Sequence, residues 1–217
     1  MKKFLFIPLL ALLAVTSCKK NDNTVSTLVT YSTPTVVVTG GQYYYSIPVG
    51  GSLPNIQATA YDTFYKQSYV PVIDQSTLDN STPGLYIVYI TAKNIYGMVG
   101  STAVYVAVTN VSSSINLSGM YARTSNNDTV HVTKLATGLY RTDNVGGVLS
   151  NNPTFILPAF FVQTSNNMIS LPLQQTSQGT LYGTSDSLNM TVADTFYQYI
   201  ITGNSNFGGS LRVFQKL

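Results

Sequence analysis

Leu85–Lys93 reads LYIVYITAK, and in it Tyr86, Val88, Ile90 and Ala92 alternate with Leu85, Ile87, Tyr89 and Thr91. A two-residue period sends the first set to one face of a strand and the second to the other. Thr102–Thr109 follows the same rule, with Val104, Val106 and Val108 opposite Tyr105 and Ala107. Tyr86, Val88, Ile90 and Ala92, with the three valines, are therefore the expected core. β-Branched and aromatic residues suit a pleated, half-buried surface. Both faces of Leu85–Lys93 are apolar, which a sheet wetted on one side does not need. Leu85, Ile87 and Tyr89 are thus expected to meet a second domain or a partner.

Working outward, Thr35–Thr39, Tyr43–Val49, Asn55–Tyr61 and Ser68–Ile73 read as further strands. Gly40-Gly41, Gly50-Gly51 and Pro83-Gly84 supply turns between the runs. This spacing is that of a β-sandwich over residues 34–110. Val111-Ser112-Ser113-Ser114 is a short linker, and residues 115–217 carry a second set of runs. These are Met120–Thr124, Thr129–Leu135, Leu139–Thr142, Phe155–Gln163, Met168–Leu171, Thr180–Thr184, Leu188–Val192, Thr195–Ile201 and Gly209–Gln215, with a hairpin turn at Ala136-Thr137-Gly138. They predict an antiparallel sandwich or a small closed barrel.

Composition agrees. Charged residues make up 9% of the chain, against about 25% in ordinary globular proteins. All eight acidic residues are Asp, and Ser, Thr, Asn, Gln and 16 Tyr stand in place of the usual helix formers. The chain reads as all-β.

Val49-Gly50-Gly51-Ser52, Ala58-Thr59-Ala60-Tyr61-Asp62, Ser81-Thr82-Pro83-Gly84-Leu85-Tyr86-Ile87-Val88 and Val104-Tyr105-Val106 follow one another in order. This series resembles the bacterial immunoglobulin-like domain of surface lipoproteins in Bacteroidota-type bacteria. That family's hallmark is a T-P-G-x-Y-x-V strand followed by D-x-x-G-N; here Asn94-Ile95-Tyr96-Gly97-Met98 stands in the second place. Asn still suits a turn, but a Ca²⁺ site built on that Asp is not expected. The resemblance implies an immunoglobulin-like sandwich and no activity of its own. Leu117-Ser118-Gly119-Met120-Tyr121, Gly138-Leu139-Tyr140 and Asp143-Asn144-Val145-Gly146-Gly147 are similar to the C-terminal β domain that follows such modules, which has no settled function.

The first residues give an address. Lys2 and Lys3 precede the uncharged apolar run Phe4–Val15, and Val15-Thr16-Ser17 leads to Cys18, the one cysteine. The layout is that of a secretory signal peptide, 1–17, and the run is shorter than the ~20 residues that span a bilayer. The end of the segment resembles a bacterial lipobox, which implies cleavage before Cys18 and acylation of it with chains such as palmitate. Two or more chains would give stable attachment. No disulfide is then open to the chain, so packing must hold it together. Residues 18–33 are polar and aperiodic, a tether. In bacterial lipoproteins Asp directly after the acylated cysteine favours the inner membrane; Lys19 stands there, which implies the outer membrane, with the face left open. Without Lys2 and Lys3, nine basic side chains meet eight acidic ones, so no nucleic-acid surface is expected.

Catalytic machinery is not visible. His131 is the one histidine and alternates with Val130 and Val132, on the polar side of its strand. A zinc site lacks a second His or Cys, and a Ser-His-Asp set would have to be built on His131 alone. Carboxylate pairs for glycoside hydrolysis would have to be drawn from Asp residues that mostly sit at turns. The glycine pairs lack the context of a phosphate loop. No metal, cofactor or catalytic residue is expected.

Aromatic residues remain. Tyr43-Tyr44-Tyr45, Tyr61, Phe64, Tyr65 and Tyr69 crowd the first domain, and a flat ring with a polar rim is what sugars stack on. Phe64 and Tyr65, in a loop, with Tyr69, are the candidate ligand-binding residues. Asp128-Thr129-Val130 and Asp186-Ser187-Leu188 are similar to the O-glycosylation signal of exported proteins in Bacteroidota-type bacteria, which implies sugars on Thr129 and Ser187. The expectation is a non-catalytic cell-envelope lipoprotein that binds polysaccharide; the alternative is a structural or interaction subunit of an outer-membrane complex.

Overall fold

The computed structural model describes residues 31–191 and 194–217. In the first half lie β1 (Thr35–Val38), β2 (Tyr44–Ile47), β3 (Ala58–Asp62), β4 (Gln67–Tyr69), β5 (Val72–Asp74), β6 (Gly84–Lys93) and β7 (Val99–Val108). They form two sheets, β1-β3-β4 and β2-β7-β6-β5. All pairs are antiparallel except β2 with β7, which run parallel with Tyr44 opposite Tyr105. Val36, Val38 and Ala60 from one sheet meet Tyr45, Ile47, Val88, Ile90, Ala92, Val104, Val106 and Val108 from the other in one core. The two-residue period of β6 and β7 is thus realised, with one exception. Tyr86 is half-buried and its hydroxyl donates to the Thr82 carbonyl at 2.9 Å.

The run Ser68–Ile73 is not one strand. Pro71 has no N–H for a ladder, and the chain changes sheets there, β4 pairing with β3 and β5 with β6.

The second half holds β8 (Gly119–Arg123), β9 (Thr129–Ala136), β10 (Leu139–Thr142), β11 (Ala159–Ser165), β12 (Met168–Ser170), β13 (Gln174–Thr176), β14 (Gly179–Met190), β15 (Thr195–Thr202) and β16 (Leu211–Lys216). They make one antiparallel nine-stranded sheet in the order β12-β11-β10-β9-β8-β16-β15-β14-β13. The sheet curls until the segment around β12 meets β14. There the Gly183 amide donates to the Leu171 carbonyl at 2.7 Å, and the Leu188 amide to the Asn167 carbonyl at 3.0 Å. A register shift between Thr184 and Ser187 makes room for this contact; the two runs expected on either side of it are one strand with a bulge. Inside the curl, Tyr197 stacks on Phe214 at 4.9 Å and on Phe161 at 5.2 Å. Tyr121, Tyr140 and Tyr199 are buried with them. Buried hydroxyls need acceptors; Tyr121 and Tyr199 donate to the Leu117 and Val145 carbonyls at 2.7 and 2.8 Å.

No sheet crosses residues 109–118, yet the halves touch. Ala107, Leu139 and Val162 are fully buried in a cluster completed by Tyr44, Leu85, Tyr105, Leu135 and Ala136. Phe160 lies 4.6 Å from Tyr105, ring to ring. The Thr109 hydroxyl donates to the Gln163 carbonyl at 2.7 Å in a buried position. Gly138 sits at φ 70°, and a Cβ there would come within 2.7 Å of the Thr109 methyl, so the turn glycine also serves the contact.

Candidate functional site

β3 ends in Asp62, β4 starts at Gln67, and residues 63–66 form the loop between them; residues 94–98 join β6 to β7. Each loop is built on one side chain, Asp62 just before the first and Asn94 at the start of the second. Asp62 is fully buried, and its Oδ1 accepts from the amides of Phe64 and Tyr65 at 3.0 and 3.1 Å. Asn94 is 4% exposed, and its Oδ1 accepts from the Tyr96 and Met98 amides at 3.0 and 2.9 Å. These are side chains doing the work of a turn acceptor.

Ser32 links the two loops. Its hydroxyl donates to Asp62 Oδ1 at 2.9 Å, and its carbonyl accepts from Asn94 Nδ2 at 2.8 Å. Pro34 then lies against β7, where a Cβ on Gly100 would fall 1.7 Å from the Pro34 carbonyl oxygen. Only glycine permits that approach. Burial alone would raise the Asp62 pKa, but donation from the Tyr65 amide, Ser32, the Phe64 amide and Asn94 outweighs it and lowers the carboxyl below its usual range.

Over this base the rings gather. Phe64 meets Tyr65 edge to face at 5.0 Å, and Tyr65 lies 4.7 Å from Tyr96 at 32°. Phe64 is 59%, Tyr96 57% and Ile95 70% exposed. Lys66 and Lys93 are exposed beside them, the Lys93 chain running past Gly97. Of the sequence candidates, Phe64 and Tyr65 are therefore joined by Tyr96 and Ile95. Tyr69 is half-buried against the first core, its hydroxyl donating to Gln67 Oε1 at 3.2 Å. Tyr96 was hidden in the sequence because it lies on another loop; its one signal is the turn Asn94-Ile95-Tyr96-Gly97 between two strong strands.

The other candidates are spread out. Leu85 packs into the cluster between the halves, Ile87 is half-buried, and Tyr89 is exposed. Thr129 is exposed at the start of β9, and Ser187 is half-buried in β14. Cys18 lies outside the described residues, as do the expected leader and most of the tether. His131 is exposed.

Each Asp among the described residues accepts a hydrogen bond of local architecture. Asp62 is described above; Asp74 and Asp79 accept from Ser76 and Ser81 amides, Asp143 from the His131 amide and Asp186 from the Leu171 amide. Asp128 accepts from Asn144 and Asp194 from Gln215. Among the described residues no three potential metal ligands come together. Arg212, 4% exposed, donates to the carbonyls of Gly146, Ser210 and Phe207. It pins two loops to each other. An open groove of about 420 Å³ runs along Ile201, Thr202, Gly203, Asn204, Ser205, Gly208 and Gly209; it carries no charged group. No helix among the described residues is long and apolar enough to cross a membrane.

No family model and no curated protein matches the sequence. Among solved structures the chain is similar to a lipoprotein from Bacteroides thetaiotaomicron, at 15% identity and a TM-score of 0.38, with 84% of this chain and 100% of that one covered. That similarity is too loose to carry a site or an activity across.

Proposed function

We propose that the protein is a non-catalytic lipoprotein of the cell envelope, anchored through Cys18 in the outer membrane, that acts by presenting a surface. The observation that carries this reading is the use of every described Asp in turns and strand closures, combined with the lipobox-like segment ending at Cys18. Each of these carboxylates accepts a hydrogen bond that positions part of the fold, and the reading assigns them that structural role. Growth with a labelled fatty acid tests the anchor: the wild type takes up label and Cys18→Ala does not. Label absent from the wild type, or persisting in Cys18→Ala, contradicts it.

A second reading, capture of polysaccharide, is favoured by the exposed rings of Phe64 and Tyr96. Stacking is worth about 0.5–1.5 kcal/mol per ring beyond area burial. Phe64→Ala and Tyr96→Ala should then each weaken binding to a glycan several-fold. A panel of polysaccharides without a binder, or variants that bind like the wild type, removes this reading and leaves the interaction subunit.

A further inference from the structure

We infer that the loop tip formed by residues 63–66 and 94–98 docks on the lipid surface to which the chain is tethered. The inference rests on the lipid-anchor reading and names the partner of the aromatic tip. Three observations carry it.

The first is where the chain enters. Ser32 is clamped between Asp62 and Asn94, directly beneath the tip. Cys18 lies fourteen residues upstream, and a chain of that length reaches at most about 50 Å. The tip is thus the end of the fold closest along the chain to the anchor. A tether this short creates an effective concentration in the millimolar range, so a contact too weak to hold a free protein on a bilayer is populated in an anchored one.

The second is composition. Phe64, Ile95 and Tyr96 are all more than half exposed, and aromatic residues favour the level of the headgroups, an apolar body inward and a polar edge outward. Lys66 and Lys93 flank them. Lysine stems can lie along apolar surface while their ammonium groups reach anionic headgroups. Asp62, the acidic residue next to these loops, is buried, its Oδ1 accepting from Phe64, Tyr65 and Ser32, so no carboxylate is exposed on the tip.

The third is ring geometry. Phe64 stands at 88° to Tyr65, and Tyr65 is inclined by 32° to Tyr96. The rings form a wedge rather than a coplanar platform. A wedge with Ile95 beside it suits shallow insertion among lipids better than the flat face of a sugar.

The sequence contains one cysteine and no tryptophan, which makes the test direct. The chain from Cys18 to Leu217 keeps every described strand. It is coupled through Cys18 to a maleimide lipid in vesicles of phosphatidylethanolamine and phosphatidylglycerol. Because this attachment is chemical, the outcome does not depend on whether cells acylate Cys18. Tyr96→Trp is expected to shift its emission to the blue on coupling and to lose emission when the acyl chains are brominated. Leu173→Trp, at an exposed site in the second half, should do neither. Adding Phe64→Asp and Ile95→Asp to Tyr96→Trp should return the emission of the uncoupled protein. Emission of Tyr96→Trp that is unchanged on coupling, or quenched no more than that of Leu173→Trp, overturns the inference. So does quenching that survives the two Asp substitutions, or a saccharide that shifts Tyr96→Trp emission when the vesicles do not.

Discussion

Asp62, which is buried, and Asp186, which is half-buried, are shifted in opposite directions. Asp62 ionises more readily than usual because the amides and hydroxyl around it outweigh its burial. Its contribution to stability is present above the ordinary Asp value of about 3.9 and is lost as pH falls through the lower folded-state value. Asp62→Ala removes the acceptor of the Phe64 and Tyr65 amides and loosens the turn they close. Urea unfolding of this variant should show a loss of stability; unchanged stability would mean that the loop does not depend on the carboxylate. Asp186 behaves in the other sense. Burial raises its pKa, opposed by donation from the Leu171 amide, and its Oδ1 is buried with no partner. The neutral form is favoured in the folded state, so stability is greatest at pH below the ordinary Asp value and declines as pH rises through the raised one. Asp186→Asn keeps an acceptor for Leu171 and removes the charge. Its melting temperature should rise relative to the wild type at pH 7 and much less at pH 4; an equal loss at both would show that the carboxylate itself is needed.

At the scale of elements, β7 and its neighbours do two jobs. Val104, Val106 and Val108 fill the first core while Ala107, on the other face, is fully buried against the second half. Leu139→Ala should therefore cost about 2–5 kcal/mol, as for buried leucines in general, and should loosen the contact between the halves. Calorimetry would register this as one unfolding transition becoming two; a single transition at wild-type temperature contradicts the packing. Gly100→Ala places a methyl group where the Pro34 carbonyl lies, and should release Ser32 from Asp62 and Asn94, exposing residues 32–34 to proteolysis.

Strands of this kind are legible in the sequence because period-two patterns are local. LYIVYITAK announced its core face, and its apolar outer face announced that something covers Leu85. The break at Pro71 was equally local but was overridden by the apolar run on either side. Pairing was not legible. The curl of the nine-stranded sheet depends on β12 reaching β14 through the bulge at residues 184–187, a contact that no single window contains. Phe64 and Tyr65 stood out as loop aromatics, whereas Tyr96 joined them only because β3 and β6 end at the same edge of the fold.

Residues 32–217 form a β body tied at Ser32, with an aromatic and lysine-flanked tip beside the tie and the second half packed on Leu85. The exchange of backbone amides in the anchored protein, compared with the same chain free in solution, reports which face the bilayer covers. Residues 63–66 and 94–98 should exchange more slowly when the chain is anchored through Cys18, and residues 203–210 should be unaffected. Equal exchange at the tip in both states, or new protection at residues 203–210 in its place, would contradict the account.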